Sequence, residues 1–239
     1  MSNSTSKDTS VRLDCFSPPV MLATCAIETG LALCVLISHW RKGYAQIIIL
    51  LLVCLGAFQG AEYHICGGGP QQVAWERLGF VAIILLPPLG IHLVTLVSEN
   101  LILRRAAHFA GIVMALVFAM VPTAVQEGVC GGNYVILHSN SGPGRAFAIY
   151  YVAMLIVGIL EIVRCWVEQP KTNQRSARQV LSSLALGYAS FMVPTTIAYA
   201  VDPTLRDGIP SIMCGFAVSL AVVMVVKIVP DFEKFYAHN

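Results

Sequence analysis

Charge is what this sequence has least of. Lys, Arg, Asp and Glu make up 12% of its 239 residues and apolar types 56%, against about 25% charge in an ordinary soluble domain, and the mean hydropathy is +0.73. A soluble fold is excluded, and an integral membrane protein is expected. Other absences narrow the reading. No polar stretch is long enough to fold by itself, and the tail "PDFEKFYAHN" is too short for a kinase, cyclase or other output domain, so none is expected. Lys and Arg form no dense run and the net charge of +2 is too small to suggest nucleic acid, which is not expected as a partner. No CxxC spacing occurs, which removes the usual zinc pattern. The opening "MSNSTSKDTSVRLDCFSP" has no apolar core, so a cleaved signal peptide is not expected and the first hydrophobic run stays as a span. Internal repeats are not evident, which weakens an inverted-repeat transporter. The last apolar run has no lysine at its middle; Lys227 lies near its end, close to Pro230, which argues against a retinal Schiff base.

What the chain does have is seven apolar runs of membrane length, at least ~18 residues each. They fall at 19–39, 45–65, 78–98, 108–125, 146–167, 180–200 and 209–229. The expected fold class is therefore all-α, a polytopic bundle of seven transmembrane helices with the lipid bilayer as partner. An extracytoplasmic segment 1–18, a transmembrane domain 19–230 and a cytoplasmic tail 231–239 make up the chain. Arg41, Lys42, Arg104, Arg105, Arg164, Lys171, Arg175, Arg178, Lys227 and Lys234 flank one side of these spans, and Lys7, Arg12, Arg77, Arg145 and Arg206 the other. The richer side is assigned to the cytoplasm, which puts the N-terminus outside and the C-terminus inside a cell membrane. Pro87, Pro88, Pro122 and Pro194 lie within or near span ends and are expected to kink them, neighbouring helices satisfying the freed carbonyls.

Several residues stand where hydrocarbon is expected. An Asp at a helix centre costs about 3 kcal/mol even on the lower insertion scales, so Glu28, Glu62, His64, His92 and Glu161 need partners or water. Gln59 and Glu62 are one turn apart on one helical face. With Glu28 at mid-depth in span one and His64 near the outer boundary, they form the candidate lining of an outward-facing pocket for a small-molecule ligand. The plainer alternatives are interhelical pairing with Ser, Thr or Tyr, and simple solvation for His64. His92, after "LLPPLG", is placed to donate to a carbonyl freed by the prolines. Glu161, one turn before Arg164, reads as half of a local ion pair.

Of the eight cysteines, Cys25, Cys34, Cys54 and Cys214 fall inside spans and Cys165 near a cytoplasmic end, where thiols pack as small apolar groups. Cys15, Cys66 and Cys130 lie at the outer face. Cys66 and Cys130 open the glycine-rich loops "CGGGP" and "CGGNY", and an oxidising compartment favours a bridge between them. The alternative pairs Cys15 with one of the two.

The segments "CFSPPVMLATCAIETGLAL", "FQGAEY" and "VPTTIAYAVDPTLRDGIPSIMCGFAVSLAV" resemble an uncharacterised bacterial family of small multi-span proteins. Its members carry a Cys-Phe-Ser start, a Gln-x-x-Glu pair in the second span and a Pro-Ser-x-x-Cys segment near the last. The likeness covers most of the chain, which differs in having 14 residues before Cys15, and it implies a multi-span fold without an assigned activity. More weakly, "LGFVAIILLPPLGIHLVTLVS" is similar to span three of the seven-helix sensor region that precedes some bacterial histidine kinases.

The functional expectation is a small-ligand sensing or binding module that signals through a cytoplasmic or membrane partner, with no cofactor, no metal and no catalytic residue. One alternative is a membrane-embedded metal-dependent hydrolase using Glu62, His64 and His92. Zinc catalysis usually asks for three protein ligands, and these three lie at different depths. The other is a proton or solute transporter using Glu28, Gln59, Glu62 and Glu161 as a relay. Alkaline phosphatase fused after the C-terminus should be inactive and a cytoplasmic reporter there active; the opposite pair of results would invert the topology.

Overall fold

The computed structural model of the chain describes residues 18–67, 71–126, 129–130, 135–136, 141–168, 174–201 and 209–237. The helices are α1 (Pro18–His39), α2 (Gly43–Cys66), α3 (Gln72–Ser98), α4 (Leu101–Met120), α5 (Ser141–Glu168), α6 (Gln174–Val201) and α7 (Ile209–Val223). A π-helical turn, Met224–Ile228, joins α7 directly to α8 (Val229–Ala237). Between α4 and α5 lies a two-strand pair, β1 (Val129–Cys130) and β2 (Val135–Ile136), antiparallel with Cys130 opposite Val135. Among the described residues seven helical segments are long and apolar enough to cross a membrane, and the fold is an all-α seven-helix bundle.

Burial divides the helices by role. α2 and α3 carry buried residues at every turn, from Tyr44 to Ile65 and from Glu76 to Thr95, with some positions such as Leu50 and Leu78 left exposed. α1 buries one stripe, Met21, Thr24, Glu28, Ala32 and Val35, at the three- and four-residue spacing of one helical face. α4 buries only Ala107, Gly111 and Phe118 and leaves Ile102, Phe109 and Met120 exposed, the profile of a peripheral helix against lipid. The expected start of span three at 78 is six residues late and the expected end of the last span eight residues early. A window of apolar residues stops at Glu76 and Asp231, whereas the helices continue through both because neighbouring helices bury them.

The α3–α4 turn is short and capped by a side chain. Between α3 and α4 only Glu99 and Asn100 intervene; Glu99 is left-handed at φ 56°, and Asn100 Oδ1 accepts from Leu103 N–H at 3.1 Å. Arg77 Nη1 donates to the Ala119 carbonyl at 2.7 Å, satisfying an otherwise open acceptor at the end of α4.

Pro88, Pro194 and Pro230 are each answered in a different way. Pro88 has no N–H for the Ile84 carbonyl four residues earlier, and the Tyr150 hydroxyl of α5 donates to that oxygen at 2.8 Å. The α4 helix comes close because Gly111 has no side chain: a Cβ there would stand 2.8 Å from Pro88 Cγ and 3.2 Å from the Tyr150 oxygen. Pro194 frees the Ser190 carbonyl, and Ser219 Oγ of α7 lies 3.0 Å from it, its one proton shared between that oxygen and the Phe216 carbonyl of its own helix at 2.6 Å. Before Pro230 the chain widens into the π-turn, with Val229 N–H reaching the Met224 carbonyl. Tyr150→Phe keeps the ring and removes the donor, so it should destabilise the bundle by about 1–2 kcal/mol. Thermal unfolding in detergent checks this, and an unchanged midpoint would mean the Ile84 carbonyl is satisfied without Tyr150.

Candidate functional site

The candidate site is built on the seam between α1 and α2. Gly56 and Gly60 lie one turn apart in "GAFQG", and small residues at that spacing let helix backbones approach closely in a membrane. Cys25 Sγ donates to the Gly56 carbonyl at 3.3 Å. A Cβ on Gly56 would meet Thr29 Oγ1 at 3.1 Å, and one on Gly60 would meet Cys25 Sγ at 3.8 Å. This approach closes Glu28 into the seam.

Glu28 is 0% exposed, and Gln59 and Glu62 are 2% and 1% exposed. Both Glu28 carboxyl oxygens lack a hydrogen-bond partner among the described residues, as does Gln59 Nε2, and Glu28 interacts electrostatically with Glu62. The fold thus brings three of the four expected pocket residues together. A fourth group, Glu76 of α3, is also fully buried. One turn further along α3, Gly79 packs on α2, with Ala61 Cβ 3.6 Å from where its own Cβ would stand. Glu76 escaped the sequence reading because it lies in the polar run before the expected span, where nothing marks it as buried.

His64 is the exception. It is exposed and stacks on Trp75, ring centroids 4.0 Å apart, so it stands at the rim and not beside the buried acids. Two residues turn a helix by about 200°, which carries His64 off the Glu62 face. His92 also differs from expectation: the carbonyl freed by Pro88 is taken by Tyr150, and His92 Nδ1 instead pairs with His108 Nε2 of α4 at 2.9 Å. Glu161 forms the expected ion pair, with Arg164 Nη2 and Nε donating at 2.6 and 2.9 Å, and Asn100 Nδ2 adds a third contact at 3.3 Å.

These positions bear on metal chemistry. His92 lies 16 residues along α3 from Glu76, about 24 Å by helical rise, and His64 stacks at the surface. Glu62, His64 and His92 therefore do not converge, and among the described residues no group of three or more His, Cys, Asp or Glu is arranged to hold a metal ion.

At the opposite end of the bundle the residues expected as a short tail are helical to Ala237 and packed on the bundle. Asp231 of α8 accepts from Gln179 Nε2 at 2.6 Å and from Ser183 Oγ at 2.5 Å, both on α6. Phe232 and Tyr236 stack on Tyr44 of α2 with centroids 5.1 and 5.7 Å apart, and Glu233 pairs with His39 of α1 at 2.9 Å. This end carries Arg41, Lys42, Arg104 and Arg105 and is called the basic end below; Glu62 and Glu76 lie toward the other.

The fold and the buried layer define an integral membrane protein with an acidic interhelical seam. Set beside known families and curated proteins, the chain matches no family model and no curated sequence, so the motif resemblance gains no support there and the functional argument rests on geometry.

Cys25, Cys34, Cys54 and Cys165 are free thiols, whereas Cys66 is disulfide-bonded. Its partner's side chain lies outside the described residues, as do Cys15 and the side chain of Cys130. The backbone of β1, which holds Cys130, lies against α2, and we propose Cys130 as the partner. Peptide mapping under non-reducing conditions should recover the Cys66 and Cys130 peptides joined; a Cys15–Cys66 species would reassign the bridge.

Proposed function

We propose that the chain is a membrane-embedded binding or sensing module whose buried acids recognise a small cationic or hydrogen-bond-donating ligand from the side opposite the basic end. The observation that carries this reading is Glu28: fully buried, with no hydrogen-bond partner on either oxygen among the described residues, beside a second carboxyl. Hydrocarbon offers no water to such a group, and ionisable residues inside a membrane mark ligand or ion sites by default. Gln59, with an open amide N–H2 one turn below Glu62, adds an acceptor and a donor to the same place. A ligand that brings positive charge or N–H groups supplies what the carboxyl lacks. The orientation of this end toward the outside rests on the distribution of basic residues, and a cytoplasmic or membrane partner would read the basic end, where α8 is docked.

The transport alternative gains little from Glu161, whose carboxylate is already held by Arg164 and Asn100. The hydrolase alternative loses its ligand set to the separation of His64 and His92.

Function and packing separate in two variants. Glu28→Met fills a similar volume without a polar group, so it should raise ligand-free stability by about 1–3 kcal/mol, the cost of an unsatisfied buried group. Glu62→Gln should fold and lose the thermal stabilisation that small organic amines give the native protein. If Glu28→Met destabilises the fold, or Glu62→Gln responds to amines as the native protein does, the acids are interhelical glue and the reading fails.

A further inference from the structure

A second, chemically opposite site lies at the centre of the bundle. A cavity of about 60 Å³ opens between α2, α3, α5, α6 and α7, lined by Leu51, Leu55, Gly90, Tyr188, Ala217 and Met224 among others. Among the described residues no charged side chain lines it. Its wall holds a polar group without an assignment: among the described residues the Tyr188 hydroxyl is buried and has no hydrogen-bond partner, in a residue only 8% exposed.

Two helices are shaped around that hydroxyl. A Cβ on Gly90 of α3 would stand 2.7 Å from the Tyr188 oxygen, and one on Gly158 of α5 would stand 2.6 Å from it. Any larger residue at either position would displace the ring. Gly90 itself lines the cavity, so the hydroxyl sits at the cavity wall. The carbonyls freed by the prolines do not take it: those of Ile84 and Ser190 face Tyr150 and Ser219, and the Tyr188 hydroxyl has no hydrogen-bond partner among the described residues. What remains is a fixed O–H donor beside an apolar void, at a depth where a helix-buried site meets no water.

We infer that this cavity binds the end of a neutral lipophilic molecule that carries a carbonyl oxygen, with Tyr188 O–H as its donor. The size sets the ligand end. At about 15 Å³ for each water-sized group, the void takes about four such groups, as many as the non-hydrogen atoms of a methyl ketone end. A charged head is excluded because nothing in the wall would pair with it. The carbonyl has two sources, an ester of a membrane lipid or a free lipophile dissolved in the bilayer core, and both present the same acceptor. This site is independent of the acidic seam, so either reading can fail without the other.

The probes are 2-hexanone and hexane, measured by ligand-observed NMR against the full chain in phospholipid nanodiscs, with protein-free discs subtracted. Native protein should bind 2-hexanone about tenfold more tightly than Tyr188→Phe, the factor expected from one hydrogen bond, while hexane should bind the two equally. Ala217→Phe fills the void and should lose both probes. Equal ketone affinity for native protein and Tyr188→Phe, or native-strength binding by Ala217→Phe, overturns the proposal. A methyl ketone bearing an alkyl diazirine keeps the test open should Ala217→Phe not fold. Crosslinks to Ala217 or Met224 support the site, and crosslinks confined to the lipid-facing Ile102 and Phe109 overturn it. Discs of ester-linked and ether-linked phospholipid separate the sources. Stronger ketone binding in ether discs identifies the lipid ester as the natural competitor, and equal binding in both identifies a free lipophile.

Discussion

Inside hydrocarbon a polar group has no water to turn to, and this one constraint organises the molecule. It is clearest at the prolines, each of which opens a carbonyl in a helix that cannot close it again. The Ile84 oxygen is met from α5 by Tyr150, and the Ser190 oxygen from α7 by Ser219, whose proton it shares with the Phe216 carbonyl. These contacts tie helices together at fixed heights, so the kinks that weaken α3 and α6 singly also set their register in the bundle. Gly111 serves the same end, because only a residue without a side chain lets α4 reach the Pro88–Tyr150 contact.

The same constraint makes the exceptions informative. Asp231 and Glu161 are buried acids, and each is supplied: Asp231 by Gln179 and Ser183, Glu161 by Arg164 and Asn100. Their role is complete in holding α8 to α6 and the α3–α4 turn to α5. Glu28 is buried to the same degree and is not supplied among the described residues. The acids at the basic end are thus satisfied while the one in the α1–α2 seam stands open among the described residues, and this contrast is what supports the binding proposal.

How much of this could be read from the residues depends on how many helices a feature needs. The spans needed one helix each and were legible from apolar length, with ends displaced where polar residues are buried by neighbours. The burial of Gln59 and Glu62 was legible too, since three residues of spacing fix a shared face. The His92–His108 pair was not, because it requires the relative heights of α3 and α4. Glu76 and Asp231 were missed for a related reason: each sits in a locally polar stretch, and only packing from a second helix takes it out of water. The cavity needs five helices and leaves no trace in any one of them, although Gly90 and Gly158 are the marks it leaves once the bundle is assembled.

The acidic seam and the apolar cavity meet on α2. Leu55 and Glu62 are seven residues apart, two helical turns and about 10 Å along one face, with Leu51 one turn below Leu55. Phe58, fully buried, stands on the same face between them and packs where Gly79 of α3 makes room. Any proton or solute moving inward from Glu62 along this face would have to pass Phe58, Leu55 and Leu51, none of which offers a hydrogen bond. A relay needs donors and acceptors within reach at every step, whereas a binding site needs them only where the ligand stops. With polar groups gathered above Phe58 and hydrocarbon below it, the face of α2 has the profile of a site that ends within the membrane, and this weighs for recognition over passage.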